Sequence, residues 1–171
     1  MILSGARVTL RSVTPGDAER LRSIRQEPEV ARWWGSLGPG EIEQVVADQK
    51  TLVIESEGEV VGAIQFDEER DPMYRHAGID VYLTAARHGK GLGSEAVRIL
   101  ARHLIEERGH HRLTIDPAAD NVAAINAYRK VGFRTVGVMR SYERGPDGTW
   151  HDGLLMELLA DELIEDGEGS G

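Results

Sequence analysis

The sequence predicts a single α/β domain in which strands and helices follow one another along most of the chain. A length of 171 residues suits one domain, and 40% of the residues are hydrophobic, which is enough for a sizeable core. Alternating apolar and polar residues indicate strands, whereas apolar residues spaced three or four apart indicate helices. Neither a repeat nor a linker interrupts the pattern. We therefore expect a domain over residues 1–160 and a disordered tail over residues 161–171.

The charge distribution supports that division and limits the partners. The net charge is −9, and five acidic residues without a compensating cation lie in the last eleven positions: Asp161, Glu162, Glu165, Asp166 and Glu168. The rest of the domain is only mildly acidic. An acidic balance argues against nucleic acid as a partner and is compatible with a cationic small-molecule substrate.

The absence of cysteine excludes several kinds of site. Without cysteine there is no disulfide framework, no cysteine zinc site and no cysteine nucleophile. His110 and His111 are adjacent rather than spaced as ligands on one face, so we predict no metal site. The first residues contain no apolar run that is long enough for a signal peptide or a membrane span. We expect a cytoplasmic protein that does not contact membranes.

The periodicity predicts most elements in order. Pro28 is expected to end the first helix, and Trp33-Trp34-Gly35 to lie in a connection. The predicted strands cover residues 8–12, 51–55, 60–66, 77–83, 113–115, 135–142 and 150–159. The predicted helices begin after Thr14, span 39–50, extend from the glycine cluster to about residue 107, and span 121–130.

A glycine cluster follows the predicted strand 77–83 and opens the longest helix. Glycines let the backbone approach a ligand closely, and N–H groups at a helix N-terminus bind anions such as phosphate. The segment fits neither a P-loop nor a dinucleotide-binding loop, since Gly93 is followed by Ser94 and Glu95. From these residues alone, it is either a phosphate-binding loop or a glycine-rich turn without a ligand.

A second motif covers residues 121–133. Asn121 is suited to begin a helix and Gly132 to end it. Spacing alone favours Tyr128 as a packing residue and Phe133 as a core anchor.

Together, the two segments resemble the GNAT superfamily of acyl-CoA-dependent N-acyltransferases. His88-Gly89-Lys90-Gly91-Leu92-Gly93 is similar to its pyrophosphate loop, Gln/Arg-x-x-Gly-x-Gly/Ala, with histidine in place of the first residue. Residues 121–133 match its second motif, Asn-x-x-Ala-x-x-x-Tyr-x-x-x-Gly-Phe, and the resemblance spans nearly the whole chain.

The resemblance implies a fold, a cosubstrate and a mechanism. The fold would be a mixed, mostly antiparallel sheet that splays near its centre between flanking helices. Acetyl-CoA would lie in the gap without a metal, and Tyr128 would protonate the departing thiolate. The implied cosubstrate-binding residues are Val81, Tyr82, Leu83, His88, Gly89, Lys90, Gly91, Leu92, Gly93, Ser94, Asn121, Ala124 and Tyr128.

Three short segments resemble the aminoglycoside 6'-N-acetyltransferases within that superfamily. They are Trp33-Trp34-Gly35, Gly78-Ile79-Asp80 and Thr114-Ile115-Asp116-Pro117. This branch implies that Asp80 is the catalytic base, that Asp116 binds the substrate ammonium, and that Trp33 and Trp34 wall the substrate site. Structural roles remain open for each: Asp80 paired with Arg75 or Arg87, Asp116 as a turn residue, and the tryptophans as packing residues.

Other functions remain open at this stage. The acceptor could instead be a protein N-terminus, a lysine or another small amine, and the domain could bind acyl-CoA without turnover. The final predicted hairpin, with Tyr142, Glu143 and His151, is longer than the aminoglycoside branch leads us to expect. It could reshape the acceptor site or form an interface, in a protein that is either a monomer or a homodimer.

Overall fold

The computed structural model describes residues 1–166, which form eight β-strands and five α-helices. The strands are β1 (Ile2–Ser4), β2 (Thr9–Ser12), β3 (Thr51–Ser56), β4 (Glu59–Glu69), β5 (His76–Leu83), β6 (Arg112–Ile115), β7 (Arg134–Arg144) and β8 (Trp150–Leu159). The helices are α1 (Ala18–Arg25), α2 (Pro28–Trp34), α3 (Glu41–Ala47), α4 (Leu92–Glu106) and α5 (Val122–Val131). None of the helices described is both long and apolar enough to cross a membrane.

All eight strands belong to one sheet, in the order β1-β2-β3-β4-β5-β6-β8-β7. Every neighbouring pair is antiparallel except β5 and β6. That parallel pair joins only Ala77 with Leu113 and Gly78 with Thr114, and beyond these residues the two strands separate. The prediction of a mixed, mostly antiparallel sheet that splays near its centre is therefore confirmed.

Helices cover both faces of the central strands. On one face, Leu100 and Leu104 of α4 are fully buried in the main core, together with Leu52 and Ile54 of β3. On the other face, α1 and α3 bury a smaller cluster of Leu21, Ile42, Val53 and Ala63. Burial on both faces explains why β3 and β4 are nearly continuous runs of apolar residues.

The connection after α1 differs from the prediction. The first helix does end before Pro28, at Arg25. The expected connection at Trp33 and Trp34 is wrong, because Pro28 is the first residue of a further helix, α2, that contains both tryptophans. Proline fits the first helical position because it needs no acceptor there. The preceding Glu27 accepts hydrogen bonds from the Ala85 N–H at 2.8 Å and from the Thr84 hydroxyl, so α2 is tied to the turn after β5.

Other differences affect the ends of elements. The helix predicted over residues 39–50 is shorter and covers Glu41–Ala47. Strand β1 was not predicted, because three residues are too short for an alternating pattern. Both strands of the last hairpin are present, and β7 extends to Arg144.

Residues 161–166, which the sequence led us to expect as the start of a disordered tail, pack against the domain. The Ile164 N–H donates to the Val131 carbonyl at 2.9 Å. Arg98, a nearly buried residue of α4, donates to the Ile164 carbonyl at 2.8 Å and to Asp166 at 2.7 Å. Glu165 and Asp166 are partners of the α4 arginines Arg102 and Arg98, which composition alone does not reveal. Residues 167–171 lie outside the described range.

We predict that residues 161–166 contribute to stability. A chain that ends at residue 160 leaves the buried Arg98 guanidinium without two of its acceptors, which should lower the free energy of unfolding by about 2 kcal/mol. Urea denaturation of this chain should be compared with that of a chain ending at Asp166. Equal midpoints and slopes would contradict the stabilising role.

Candidate active site

Two cavities open where β5 and β6 separate. The first, here called the loop cavity, lies between the end of β5, the glycine segment and α5. The second, called the acidic cavity, lies between the ends of β5 and β6, helix α2 and strand β7. Six residues line both cavities, which are therefore continuous: Trp33, Trp34, Val81, Asn121, Ala124 and Tyr128.

The glycine segment presents unused backbone donors to the loop cavity. Gly89 and Gly91 have φ values of +74° and +78°, in the left-handed region that favours glycine. No oxygen within residues 1–166 accepts a hydrogen bond from the N–H groups of residues 89–94. A row of free N–H groups at the N-terminus of the 15-residue helix α4 fits a phosphate or pyrophosphate.

Side chains outside the glycine segment fix its shape. Arg7 donates to the Lys90 carbonyl at 2.6 Å and to the Gly91 carbonyl at 3.3 Å, while its Nε donates to Glu95 at 2.9 Å. The His88 ring nitrogen Nε2 lies 2.8 Å from the Leu83 carbonyl, and it must donate because a carbonyl can only accept. These contacts engage the carbonyl groups, so the N–H groups remain available.

The end of β5 forms the other wall of the loop cavity. Residues 80–83 pair with β4 on one side, but β6 pairs with β5 only as far as Gly78. The second edge of β5 is therefore free to bond a ligand. Twelve of the thirteen predicted cosubstrate-binding residues line this cavity: Val81, Tyr82, Leu83, His88, Gly89, Gly91, Leu92, Gly93, Ser94, Asn121, Ala124 and Tyr128. The side chain of Lys90 does not line it.

Three carboxylates meet in the acidic cavity: Asp80 of β5, Asp116 after β6, and Glu143 of β7. The Asp80 carboxylate opens onto the cleft, yet protein surrounds most of it. This burial, together with the charge of Asp116, raises the pKa of Asp80 to about 6, although a hydrogen bond from Gln65 acts in the opposite direction. Burial and the charge of Asp116 also raise the pKa of Glu143.

The structural alternatives for Asp80 are not realised. Arg87 lies 2.9 Å from Glu57 and also pairs with Glu59, and Arg75 donates to the Arg108 carbonyl. Asp80 therefore has neither arginine as a partner. Within residues 1–166, no lysine or arginine lines the acidic cavity.

Tyr128 stands at the junction of the two cavities. Its side chain is buried and packs edge-on against Phe133, with ring centroids 6.4 Å apart. Burial and the charges of Asp80 and Asp116 raise the pKa of Tyr128 well above its usual value. The phenol therefore keeps its proton at neutral pH, so it is available as a proton donor.

The two tryptophans make packing contacts, which is one of the two roles that the sequence left open. Trp34 packs edge-on against Tyr82, with centroids 4.9 Å apart, and the nearly buried Arg25 guanidinium lies 5.2 Å from its ring. Trp33 lies under the Arg32 guanidinium. Both tryptophans also line both cavities, because α2 lies over the opening between β5 and β6.

Sequence reasoning did not identify Arg7 and Glu95, and it named Tyr142 and Glu143 only as part of a hairpin that could reshape the acceptor site. Arg7 and Glu95 support the loop from distant positions, and no local pattern marks them. Tyr142 and Glu143 lie in the acidic cavity because β7 is bulged between Met139 and Glu143. The unexpected length of the hairpin was the only signal available. Within residues 1–166, no cluster of His, Asp or Glu is arranged to hold a metal ion.

Comparisons with known proteins agree with this geometry. Residues 7–134 match the acetyltransferase (GNAT) domain family. An aminoglycoside N(6')-acetyltransferase type 1 from Klebsiella pneumoniae is 30% identical over 167 residues, which cover 82% of this chain and 79% of the relative. The structure of an aminoglycoside acetyltransferase in complex with coenzyme A superposes with a TM-score of 0.73 at 27% identity, covering 91% of this chain and 96% of that one.

A GNAT-family acetyltransferase from Bacillus anthracis superposes with a TM-score of 0.84, covering 95% of this chain and 100% of that chain. Its 19% identity shows a shared fold. The family match covers well over half of the sequence, and the sheet splays as that fold requires. The chain is a member of the GNAT acetyltransferase family, related to the aminoglycoside 6'-acetyltransferases.

Proposed function

We propose that this protein transfers an acetyl group from acetyl-CoA to a primary amine of an aminoglycoside, preferably the 6'-amine, and thereby confers antibiotic resistance. The observation that carries the proposal is the acidic cavity, where three carboxylates meet without a lysine or arginine among the described lining residues. Such a cavity favours an acceptor with several ammonium groups. The relatives named for aminoglycoside acetylation support the same acceptor.

The loop cavity suits the cosubstrate. When bound, acetyl-CoA supplies a thioester that is activated toward attack by an amine. The N–H groups of residues 89–94 are placed to bind the pyrophosphate, and the free edge of β5 at Val81 and Leu83 is placed to bond the pantetheine arm. Since Tyr128 lines both cavities, the reacting groups would meet beside it.

Asp80 is the proposed general base. Only a neutral amine attacks a thioester, so an ammonium has to lose a proton at or near the site. With a pKa of about 6, Asp80 is mostly ionised at neutral pH and is a stronger base than an ordinary carboxylate. We assign the acceptance of this proton to the Asp80 carboxylate.

Tyr128 is the proposed general acid. A thiolate that leaves the thioester needs a proton. The Tyr128 hydroxyl carries one at neutral pH, as a phenol ordinarily does, and its raised pKa keeps it in that form. Its place between the cavities suits transfer to a sulfur at the end of the pantetheine arm. We assign no metal to the reaction, because Asp80 and Tyr128 provide the base and the acid that it needs.

Asp116 and Glu143 are the proposed ammonium-binding groups. They face the same cavity as Asp80 but lie on other elements, so they can hold the remainder of the acceptor while Asp80 meets one amine. A third cavity continues from Trp33, Trp34 and Glu143 toward the tip of the β7–β8 hairpin. Its extent suits an acceptor of several rings rather than a small amine.

The first test measures thiol release from acetyl-CoA with kanamycin, tobramycin and amikacin beside peptides and polyamines. We expect rapid turnover with the aminoglycosides and a 6'-acetylated product by NMR. Asp80→Asn should lower kcat/KM about 100-fold or more, since it removes the base. Turnover with peptides or polyamines alone would be consistent with the family but would contradict the assignment of an aminoglycoside as the acceptor. No thioester cleavage with any amine would favour an acyl-CoA-binding module.

The pH dependence provides a second prediction. Because Asp80 acts only when ionised, kcat/KM should fall as the pH decreases through about 6. In Asp80→Asn this acid limb should be lost from the residual activity. If kcat/KM of the variant still fell in the same way at low pH, the titrating group and the general base would have to be a residue other than Asp80.

Tyr128→Phe gives a third prediction. The variant keeps the ring that packs against Phe133 but removes the acidic proton, so kcat should fall about 100-fold with little change in Kd for coenzyme A. Tyr74→Phe is the matched control, because Tyr74 is exposed and lines neither cavity. Unchanged kcat in Tyr128→Phe would exclude the tyrosine as the acid.

The support of the glycine segment gives a fourth prediction. Arg7→Ala removes the hydrogen bonds to the Lys90 and Gly91 carbonyls, so the N–H groups should lose their fixed arrangement. We expect Kd for coenzyme A, measured by titration calorimetry, to rise about tenfold, as for the loss of about 1.4 kcal/mol. Arg70→Ala is the control, since Arg70 is exposed. An unchanged Kd in Arg7→Ala would contradict the supporting role.

A further inference from the structure

Tyr142 makes a contact in the acidic cavity that neither sequence motif includes. Its hydroxyl donates a hydrogen bond to Oδ2 of Asp116 at 2.5 Å. Within residues 1–166, no other group donates to this carboxylate, so Oδ1 remains available. The hydrogen bond and burial raise the pKa of Tyr142 to about 12, so the phenol keeps its proton at neutral pH.

The backbone of β7 is shaped to bring Tyr142 to this place. The register between β7 and β8 shifts between Met139 and Glu143, and within the bulge Ser141 has a φ of +49°. Such a φ is uncommon for a residue other than glycine. The Ser141 N–H is bonded to Oδ1 of Asp152 at 2.8 Å, which fixes the bulge from the facing strand.

Gly153 of β8 provides the space for the tyrosine ring. A Cβ atom on Gly153 would lie 2.8 Å from Cδ1 of Tyr142, closer than real Cβ contacts allow. The backbone of Gly153 is not in the left-handed region, so any residue could adopt its conformation. Glycine is therefore required here by the ring of Tyr142 and not by its own φ.

Strands β7 and β8 thus both contribute to the hydrogen bond that Tyr142 donates to Asp116 in the acidic cavity. We propose that Tyr142 is a positioning residue, which holds Asp116 through Oδ2 so that Oδ1 is presented to an ammonium group of the acceptor. This inference rests on the proposed function.

The principal test separates acceptor binding from chemistry. In Tyr142→Phe, KM for kanamycin should rise about tenfold, with kcat and KM for acetyl-CoA changed by less than about twofold, because Asp116 loses its fixed orientation. Tyr74→Phe is the control for the substitution itself. A KM for kanamycin within about twofold of the wild type would overturn the proposal.

A second variant reaches the same contact without removing the hydroxyl. The methyl group in Gly153→Ala should displace the Tyr142 ring and raise KM for kanamycin in the same way. Gly137→Ala is the matched control on the same hairpin, since a Cβ there meets nothing within 4 Å. Thermal unfolding of all variants shows whether they fold. A folded Gly153→Ala with wild-type KM would count against the proposal.

A double-mutant cycle with Asp116→Asn tests whether Tyr142 acts through Asp116. If it does, Tyr142→Phe has little further effect on KM in the Asp116→Asn background. If the fold changes in KM of the two substitutions multiply, Tyr142 contacts the acceptor independently of Asp116, and the positioning role is overturned.

An acceptor-free measurement separates this inference from the proposed function. The NMR shift of ¹³C-labelled Cζ in Tyr142 should change between the wild type and Asp116→Asn, because the hydrogen bond is altered. An unchanged shift would overturn the contact itself. Absence of kanamycin turnover by the wild type would instead overturn the proposed function, and with it the acceptor that Tyr142 is inferred to serve.

Discussion

The separation of β5 from β6 after two paired residues is the constraint on which the site depends. β5 is paired along its whole length with β4, from Gly62↔Leu83 to Glu69↔His76. β6 follows β8 instead: the Pro117 carbonyl accepts from the Leu154 N–H at 2.8 Å, and Ala118 bridges to Gly153. Since each strand remains with its outer neighbour, a gap opens between them. That gap leaves the edge of β5 free and places Asp80 and Asp116 on its two sides.

The same gap explains the electrostatics of the acidic cavity. Carboxylates on opposite sides of a narrow opening are partly removed from water and repel one another, so the pKa values of Asp80 and Glu143 rise. In the proposed function, a cationic acceptor relieves this repulsion as it binds. For Asp80 the larger cause is burial, to which the charge of Asp116 adds, so the same narrow opening supports both the attraction of a cation and the raised pKa.

The sequence predicted the elements whose signals are local. The glycine segment and residues 121–133 are each contiguous in sequence, and their glycines, cap and tyrosine fix the geometry of their own backbone. Twelve of the thirteen residues that we expected to bind the cosubstrate therefore line one cavity. Asp80 and Asp116 share the acidic cavity as the resemblance implied. Helix α2 was missed, and Trp33 and Trp34 were expected in a connection, because proline can both follow one helix and begin the next. Here Pro28 begins α2, and the hydrogen bond from Ala85 to Glu27 holds the N-terminus of that helix.

What the sequence missed depends on contacts between distant segments. Tyr142 enters the cavity only because Ser141 takes a left-handed conformation, which Asp152 supports from the facing strand. Arg98 orders residues 161–166, although their composition is typical of a disordered tail. The periodicity of the sequence records neither a bulge nor a pairing such as that of Arg98 with Asp166, 68 positions away.

The two sides of the cleft therefore differ in how they are encoded. The loop cavity is lined mainly by two contiguous motifs and by the end of β5, and its free donors are backbone groups. The acidic cavity is assembled from α2, the ends of β5 and β6 and the bulged hairpin, through side chains such as Trp33, Asp116 and Tyr142. In the proposed function, the binding of the acceptor therefore depends on contacts between distant segments, whereas the binding of the cosubstrate depends on local backbone geometry.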